Sequence, residues 1–343
     1  MKAAVVHGKD DIRIEEYPTP QAGPGEMVVK IKASGICATD IKTLLGQGLP
    51  KNLPTILGHE VVGEVFEMGE GTAGFQTGER VAVYPIAVCG ECYYCRNGRH
   101  NLCMEEFGLG HGIDGGFAEY VRLPRQIINA GGVVKMPEGL SYEKAVLAEP
   151  LSCGIAALEV NRVKPGDRVV VVGAGPMGLI HLKLSKWAGA TVIMADILDK
   201  RLETATRMGA DFCVDVSKMD LLDEVMRITE ATGAEVVITS LGIPKIIEQS
   251  LKLVRNGGTF NIFGGPPAGQ SITVDPRWIH YGEIILTGTF AATPVQFKKA
   301  FDLIAAGEVE VEDLISDRFT LDNMLDAIEK AKNQEMIRGI VLF

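Results

Sequence analysis

Apolar residues in the first 150 positions of the chain occur in short runs that glycines and prolines interrupt. Residues 27–33, 60–67 and 80–84 are examples, and β-branched residues are frequent in them. Short runs separated by turn residues are typical of strands joined by brief loops. The pattern predicts an irregular, mostly antiparallel β domain for this part of the chain.

After residue 167 the pattern changes to apolar strands that alternate with amphipathic helices. Residues 168–172 form an almost continuous apolar run, typical of a strand that is covered on both faces. The predicted elements that follow are a helix at 179–188, a strand at 191–195, a helix at 199–208, a strand at 212–216, a helix at 221–228, a strand at 235–239, a helix at 244–254 and a strand at 259–263. Repeated strand–helix units with short links predict an α/β fold with a doubly wound parallel sheet.

The C-terminal part of the chain departs from this alternation. Residues 294–306 and 324–332 predict helices, and residues 339–343 predict a terminal strand. Hydrophobic periodicity does not decide whether these elements belong to the second domain or return to the first.

Length and charge narrow the functional classes. The chain has 343 residues, more than one typical core supports, so two domains are expected. Lys and Arg number 34 and Asp and Glu number 44; the net charge of −10 disfavours nucleic acids and anionic membranes as partners. Neither a signal peptide nor an apolar run of spanning length is visible, so we expect a cytoplasmic protein.

A glycine-rich segment follows the first strand of the alternating region. Gly173, Gly175 and Gly178 match the pattern G-x-G-x-x-G, which alone is a weak signal. Here the pattern closes a strand and opens a helix, which is the context that dinucleotide binding requires. The glycines then permit a tight turn, close approach of a pyrophosphate and close packing of helix on strand.

Asp196 ends the next predicted strand. A carboxylate at this position can accept hydrogen bonds from both ribose hydroxyls of NAD and repels the 2′-phosphate of NADP. Arg201 is either a residue that stacks on the adenine or a solvated helix residue. We therefore predict NAD as the cofactor, bound by residues near the carboxyl ends of the strands: Gly173, Gly175, Pro176, Met177, Gly178, Asp196, Arg201 and Phe263.

Four of the seven cysteines crowd into one short segment. Cys89, Cys92, Cys95 and Cys103 are spaced C-x2-C-x2-C-x7-C. Four thiolates suit a tetrahedral zinc ion and leave no coordination position open, so we predict a structural zinc site. An iron–sulfur cluster also uses four thiolates and is the rival on spacing alone.

A second set of metal-ligand residue types is spread along the chain as Cys37, His59, Glu60 and Glu149. A Cys/His/Glu set with one vacant position is the chemistry of a catalytic zinc ion. Only folding can gather these residues, and a lone His59 is more often a packed core histidine. The spacing therefore does not establish this site by itself.

The chain resembles the zinc-containing medium-chain dehydrogenase/reductase superfamily over nearly its whole length. The matching segments are residues 58–69, with the pattern G-H-E-x2-G-x5-G, residues 78–81, with the sequence G-E-R-V, the four-cysteine segment and the glycine loop, in this order. Glu149 followed by Pro150 resembles the sorbitol and threonine dehydrogenase branch, because alcohol dehydrogenases outside it have a ligand cysteine there.

The resemblance implies a GroES-like β domain at residues 1–152, a Rossmann NAD-binding domain at 153–286 and a return of the chain to the first domain at 287–343. It implies two zinc ions per chain. One is structural, and the other is catalytic and bound by Cys37 and His59, with Glu60 and Glu149 as exchangeable carboxylate ligands or as a partner that acts through a water molecule. The substrate alcohol would bind the catalytic ion in the cleft between the domains. Homotetramers are common in this branch, and homodimers come next.

The resemblance also suggests roles for residues near the ligands. Thr39 matches the hydroxyl that relays the substrate proton, with a turn residue as the plainer alternative. Asp40 matches a residue that contacts the metal ligands without binding the metal itself; the alternative is that it is the N-cap of a helix. Arg338 matches a basic position near the cofactor or the metal, with a surface salt bridge as the alternative.

Two positions depart from the family pattern and limit the prediction of the substrate. Relatives often have His where this chain has Lys42. Three roles are open for this lysine: a proton relay if it is buried near zinc, a binder of an anionic substrate group, or a solvated helix residue. Sorbitol dehydrogenases have a substrate-site Arg where this chain has Ala291. We predict a secondary alcohol of polyol or sugar-alcohol type, with or without a phosphate. L-Threonine is the rival substrate, and a non-catalytic nucleotide-binding protein is the rival of another class.

Overall fold

The computed structural model describes residues 1–50 and 52–343. The chain forms two compact units, which are Met1–Ser152 together with Ala292–Phe343, and Cys153–Ala291. The second unit ends later than the predicted residue 286, because the last strand of its sheet, Ile285–Gly288, continues past that position.

The first unit begins with short strands and short helices. The strands are β1 (Lys2–Gly8), β2 (Asp11–Glu16), β3 (Met27–Gly35), β4 (Thr55–Ile56), β5 (Glu60–Met68), β6 (Arg80–Val83), β7 (Ile86–Ala87), β8 (Phe107–Leu109), β9 (Gly112–Ile113), β10 (Tyr120–Leu123) and β11 (Val133–Lys135). The helices are α1 (Ala38–Leu44), α2 (Tyr93–Arg96), α3 (Arg125–Asn129) and α4 (Tyr142–Ala145), with a 3-10 turn at His100–Leu102. Helix α5 (Ala148–Asn161) begins in this unit and belongs to the second unit from Cys153 onward.

The second unit alternates strands and helices. Its elements after α5 are β12 (Arg168–Val172), α6 (Pro176–Trp187), β13 (Thr191–Asp196), α7 (Asp199–Arg207), β14 (Phe212–Asp215), α8 (Leu221–Ile228), β15 (Ala234–Thr239), α9 (Pro244–Ser250), a 3-10 turn at Leu251–Leu253, β16 (Val254–Ile262), α10 (Pro276–Gly282) and β17 (Ile285–Gly288). The tail has α11 (Pro294–Ala305), β18 (Ile315–Thr320), α12 (Met324–Lys332) and β19 (Arg338–Leu342), with 3-10 turns at Glu312–Leu314 and Leu321–Asn323.

The main sheet of the first unit has the strand order β11-β6-β5-β3-β19-β18, and β10 also pairs with β3. The C-terminal strand β19 runs antiparallel to β3, so the tail completes the sheet that the N-terminal part begins. One apolar cluster includes Val29, Ile31 and Val61, and another includes Phe117 and Val341. Apolar residues thus stabilise this irregular sheet through more than one core.

The sheet of the second unit has the order β14-β13-β12-β15-β16-β17, and every neighbouring pair is parallel. The chain therefore starts at a central strand, fills one side and then returns to fill the other. This is the strand order of dinucleotide-binding sheets, with the switch point beside β12. Val170, Ile193, Val237 and Phe260 are fully buried in its core. The predicted doubly wound parallel sheet is confirmed.

Several element boundaries differ from the prediction by one or two residues, and two regions differ by more. Helix α6 begins at Pro176 instead of residue 179, because Gly175 caps the helix and a proline is preorganised for its first turn. Helix α9 ends at Ser250, and β16 begins at Val254, which the periodicity had included in the helix. In the described part of the chain, no helix has the length and apolar character needed to cross a membrane.

Candidate metal centre and cofactor site

Asp40 joins two segments that are distant in sequence. Cys37 caps the N-terminus of α1, and its N–H donates to Asp40 Oδ2 at 3.0 Å. Asp40 Oδ1 accepts from the N–H of Gly58 at 3.2 Å and lies 3.3 Å from Nδ1 of His59. Asp40 therefore orients the His59 ring. It is not the N-cap that the sequence offered as the alternative, because Cys37 occupies that position and Asp40 closes the capping box from the third helical position.

His59 lies where negative charge accumulates. Burial acts to lower the pKa of His59, but Asp40 and Cys37 act in the opposite direction and raise the pKa well above its ordinary range. Because Nδ1 faces Asp40, the other ring nitrogen, Nε2, remains available as a ligand. The field that favours a charged imidazole is also a field that favours a bound cation.

Glu60 and Arg338 form a buried ion pair across the sheet. Both side chains are almost inaccessible, and Arg338 Nη2 donates to Glu60 Oε1. Burial acts to lower the pKa of Arg338, but Glu60, Cys37 and Glu149 raise it. A surface salt bridge at Arg338, the alternative that the sequence left open, is therefore wrong.

Cys37, His59 and Glu60 present one ligand atom each, and these atoms all lie within 4.8 Å of one another. Glu60 Oε2 is buried and has no hydrogen-bond partner among the residues that the structure describes. An unsatisfied carboxylate oxygen beside a thiol and an imidazole fits a site built for zinc. Folding has thus gathered three of the four separated ligand residues that the sequence predicted.

Glu149, the fourth predicted ligand, does not belong to this three-residue group within the described residues. It lies in the first turn of α5, where its backbone oxygen accepts from Ser152 Oγ at 2.6 Å. Its charge contributes to the raised pKa of Arg338, so its carboxylate lies within electrostatic reach of the centre.

Thr39 and Lys42 are exposed residues of α1. Because residues three apart are neighbours on a helix surface, they share one face of α1. The structure contradicts the proton relay through a buried Lys42, since exposure removes the burial on which that hypothesis depends. Lys42 as an anion-binding residue and as a solvated lysine both remain compatible with its position.

The four-cysteine segment brings its sulfurs together at metal-site distances. Cys89 Sγ lies 3.5 Å from Cys103 Sγ and 3.9 Å from Cys95 Sγ, and all four cysteines are free thiols. Thiolates that share one tetrahedral zinc ion at a Zn–S distance of about 2.3 Å are separated by roughly 3.8 Å. The spacing fits a single ion, whereas ligands of a cluster with several irons lie further apart.

Backbone N–H groups also point at these sulfurs. The Cys89 N–H lies 3.4 Å from Cys103 Sγ, and the Cys92 N–H lies 3.3 Å from Cys89 Sγ. Hydrogen bonds from the backbone of Cys95 and Met104 lower the pKa of Cys92 to about 6. Donors aimed at sulfur stabilise the thiolates that a metal ion requires.

The glycine loop has the geometry that its pattern predicts. Gly173 has a φ of 101°, a left-handed conformation that favours glycine. A Cβ on Gly178 would fall on the carbonyl oxygen of Gly173, so a side chain there would push α6 away from the strand. Gly175 caps α6, and a Cβ on it would enter open space among the described residues. A phosphate fits that space, beside the unpaired N–H groups of the first helical turn.

Asp196 is buried at the end of β13 and binds the glycine loop. Its Oδ2 accepts from the N–H of Ala174 at 2.7 Å, and its Oδ1 accepts from the N–H groups of Ile197 and Leu198 at 2.8 and 3.0 Å. Arg201 Nη1 lies 3.8 Å from Oδ2. The carboxylate therefore links the phosphate loop to the strand end where a ribose would bind.

Phe263 follows β16, and its ring packs edge-on against the buried His181 of α6, with the ring centroids 4.3 Å apart.

Sequence reasoning did not identify a role for Asp114. This residue holds the segment before His59, because its Oδ1 accepts from the Ile56 N–H at 3.1 Å and from Thr55 Oγ1 at 3.2 Å. The signal that could have identified Asp114 is the presence of an acidic residue within the glycine-rich segment at 108–116. Turn propensities predict an ordinary turn for such a segment, so the signal was not distinctive.

Comparisons with known proteins agree with this geometry. Residues 23–138 match the alcohol dehydrogenase GroES-like domain, and residues 176–306 match the zinc-binding dehydrogenase family. Sorbitol dehydrogenase of Bacillus subtilis is 34% identical over 96% of this chain and 93% of its own length. D-arabitol-phosphate dehydrogenase of Enterococcus avium is 32% identical over 97% of this chain and 94% of its own length.

A solved structure extends the comparison to the cofactor. A protein of Sinorhizobium meliloti 1021, described as a zinc-binding dehydrogenase and bound to NADP, superposes with a TM-score of 0.92 at 32% identity. The match covers 100% of this chain and 99% of that one. The chain therefore belongs to the zinc-dependent medium-chain dehydrogenase/reductase superfamily, in its polyol and threonine dehydrogenase branch, and is a zinc-dependent, NAD(P)-linked alcohol dehydrogenase.

Proposed function

We propose that the chain oxidises a secondary alcohol of polyol or sugar-alcohol type to a ketone, with NAD as the hydride acceptor. The observation that carries this proposal is the group formed by Cys37, His59 and Glu60, with its buried and unpartnered carboxylate oxygen. When bound, the zinc ion polarises an alcohol oxygen and lowers its pKa towards neutrality, and the nicotinamide takes up the hydride.

The residues around this group position the ligands. Asp40 fixes the ring of His59 and keeps Nε2 directed at the site. Arg338 binds one oxygen of Glu60 and leaves the other free to act as a ligand. We assign Glu149 the part of an alternative carboxylate ligand, which its charge contribution at Arg338 supports.

The proton of the substrate hydroxyl needs a path to water. Thr39 lies in the first turn of α1, two residues after Cys37, and it is exposed. A hydroxyl can accept a proton on one side while it donates one on the other, which suits a relay. We assign this role to the Thr39 hydroxyl.

The substrate class follows from the branch and from Lys42. A neutral pocket suffices for a polyol, whereas the exposed ammonium group of Lys42 can bind a phosphate or carboxylate substituent. The relative named D-arabitol-phosphate dehydrogenase supports including phosphorylated sugar alcohols in this class. Ala291 in place of the arginine of sorbitol dehydrogenases speaks against sorbitol itself.

We assign the nucleotide site to the glycine loop, Asp196, Arg201 and Phe263. The negative charge of Asp196 repels a 2′-phosphate, which favours NAD over NADP. A carboxylate has about four acceptor positions, and three backbone N–H groups occupy three of them in Asp196. We therefore expect Asp196 to bind one ribose hydroxyl instead of the two that the sequence suggested.

The test is the formation of NADH, measured by absorbance, across polyols, polyol phosphates, diols and threonine, with and without a zinc chelator. We expect turnover of a polyol or polyol phosphate that the chelator abolishes. Preferential turnover of threonine would favour the rival substrate. No turnover by a preparation with two zinc ions per chain would favour a nucleotide-binding protein without this activity.

Assembly and location belong to the same proposal. We assign a cytoplasmic homotetramer, which the branch resemblance and the free state of all seven cysteines support, since free thiols persist in reducing compartments. Light scattering on the purified protein distinguishes the tetramer from a dimer.

A further inference from the structure

Gly35 is the last residue of β3 and lies in the middle of the sheet beside the metal centre. It pairs with Glu60 of β5 on one side and with Ile340 of β19 on the other. It is buried, and its φ lies outside the left-handed range in which glycine is favoured. Backbone conformation therefore does not require a glycine here. Because glycine weakens a strand, its presence at this position needs another explanation.

The space beside Gly35 is occupied by one side chain. A Cβ built on Gly35 would fall on Oε2 of Glu60, with the Glu60 carboxyl carbon at 2.8 Å and the Glu60 Cβ at 3.0 Å. The three nearest atoms all belong to Glu60, and no backbone atom is among them. The missing side chain of Gly35 therefore leaves room for the Glu60 carboxylate in particular.

The sheet geometry explains why Glu60 occupies this space. Side chains of directly paired residues in neighbouring strands lie on the same face, and residues two apart on one strand also share a face. Glu60, Gly35, Ile340 and Arg338 consequently lie on one face of three adjacent strands. Strands β5 and β19 are roughly 9.5 Å apart, so the ion pair between Glu60 and Arg338 must pass over β3. It passes over β3 at Gly35.

We propose that Gly35 is a positioning residue of the metal centre, because its missing side chain is the opening through which Glu60 crosses β3 to Arg338. This inference rests on the proposed function of the Cys37–His59–Glu60 group. With the opening filled, Glu60 cannot hold Arg338 with one oxygen and present the other to the metal ligands. The expected consequence is weaker retention of the zinc ion at this centre and a lower kcat.

The experiment compares zinc retention in the full-length wild type and in Gly35→Ala. Zinc is released to a chromogenic chelator, and alkylation of Cys37 by iodoacetamide is followed by mass spectrometry. For Gly35→Ala we expect the fast-released zinc to leave at least tenfold faster, with Cys37 alkylated correspondingly faster. We expect kcat to fall at least tenfold, and the slow release from the four-cysteine lobe to stay unchanged.

Two further variants test the steric cause. In Gly35→Ala/Glu60→Asp the shorter carboxylate withdraws from the added methyl group, so we expect slower zinc release than in Gly35→Ala alone. Gly23→Ala is the matched control, because its added methyl group also meets only the side chain of a glutamate in the same unit, Glu26, whose carboxylate is not a metal-ligand candidate. We expect Gly23→Ala to release zinc at the wild-type rate.

The outcomes separate the two proposals. If the wild type retains zinc on Cys37 and His59 and Gly35→Ala releases it at the same rate, the role of Gly35 is refuted and the proposed function stands. If the wild type retains zinc only on the four cysteines, the proposed function fails and the inference fails with it. If Gly35→Ala does not fold, folding of the double variant supports the inference, and failure of both variants to fold overturns it.

Discussion

The four-cysteine lobe and the Cys37–His59–Glu60 group gather their ligands in opposite ways. The lobe takes all four sulfurs from one short segment, and backbone N–H groups of the same segment support them. The other group takes its ligands from two segments, and its supporting partner Arg338 lies 278 residues beyond Glu60. A local site with four thiolates is closed and stabilises the fold, whereas a site assembled by the whole domain can keep an open position for substrate.

The largest expected effect comes from removing one ligand from each metal site, which should affect catalytic activity at one site and stability at the other. Cys37→Ala removes a ligand of the open site, so we expect kcat/KM to fall at least about 10⁴-fold while the midpoint of thermal unfolding stays near that of the wild type. Cys92→Ala removes a ligand of the closed site and is expected to lower that midpoint and to release the structural zinc. Steady-state kinetics, zinc content and thermal unfolding provide the measurements. The comparison breaks down if Cys92→Ala leaves stability unchanged.

The next effect concerns the buried ion pair. Arg338→Met leaves Glu60 charged and unpaired inside the sheet, so we expect a loss of about 3–5 kcal/mol in the free energy of unfolding. Arg318→Met is the matched control, because Arg318 pairs with Glu143 at 2.7 Å near the surface, and its loss is expected to be below about 1 kcal/mol. Urea denaturation of the zinc-loaded proteins measures both values. Equal losses for the two variants would show that burial of the pair has no energetic importance.

The half-buried His59 and the buried His181 respond to acid in different ways. His59 has its pKa raised by Asp40 and Cys37, whereas burial lowers the pKa of His181 from 6.5 to about 3. At a pH between about 3 and 6.5, His181 is protonated in the unfolded chain and neutral in the folded chain. The contribution of His181 to the free energy of unfolding is therefore fully present above pH 6.5. As the pH falls below 6.5, this contribution decreases by about 1.4 kcal/mol per pH unit.

His181→Leu removes this group without touching either metal site. We expect its free energy of unfolding, measured by urea denaturation from pH 7 to pH 5 with excess zinc, to fall less steeply than that of the wild type. Parallel pH dependences in the two proteins would mean that His181 does not contribute to acid sensitivity.

The smallest expected effect concerns the substrate. Lys42→Ala is expected to raise the KM for a phosphorylated polyol about fivefold, as loss of one exposed charge–charge contact, and to leave the KM for the neutral polyol unchanged. Lys42→Arg preserves the charge and is expected to restore most of the affinity. Equal changes for the phosphorylated and the neutral substrate would remove the anion-binding role of Lys42.

The parts of this protein that depend on local pattern were predictable from its sequence. The C-x2-C-x2-C-x7-C spacing and the G-x-G-x-x-G loop lie within single turns and short segments, where spacing alone limits the geometry. Strand β12 was predicted at its observed bounds, because a continuous apolar run between turn residues has few other interpretations.

Only the tertiary structure decided which distant residues meet. The passage of Glu60 over Gly35 to Arg338 depends on the order of β5, β3 and β19, and no local pattern records that order. The exposure of Lys42 likewise depends on how α1 packs, which helical periodicity leaves open. Short-range geometry follows from covalent spacing, whereas long-range contacts follow from the pairing of strands, and for that reason the sequence determined the closed zinc site and only the fold determined the open one.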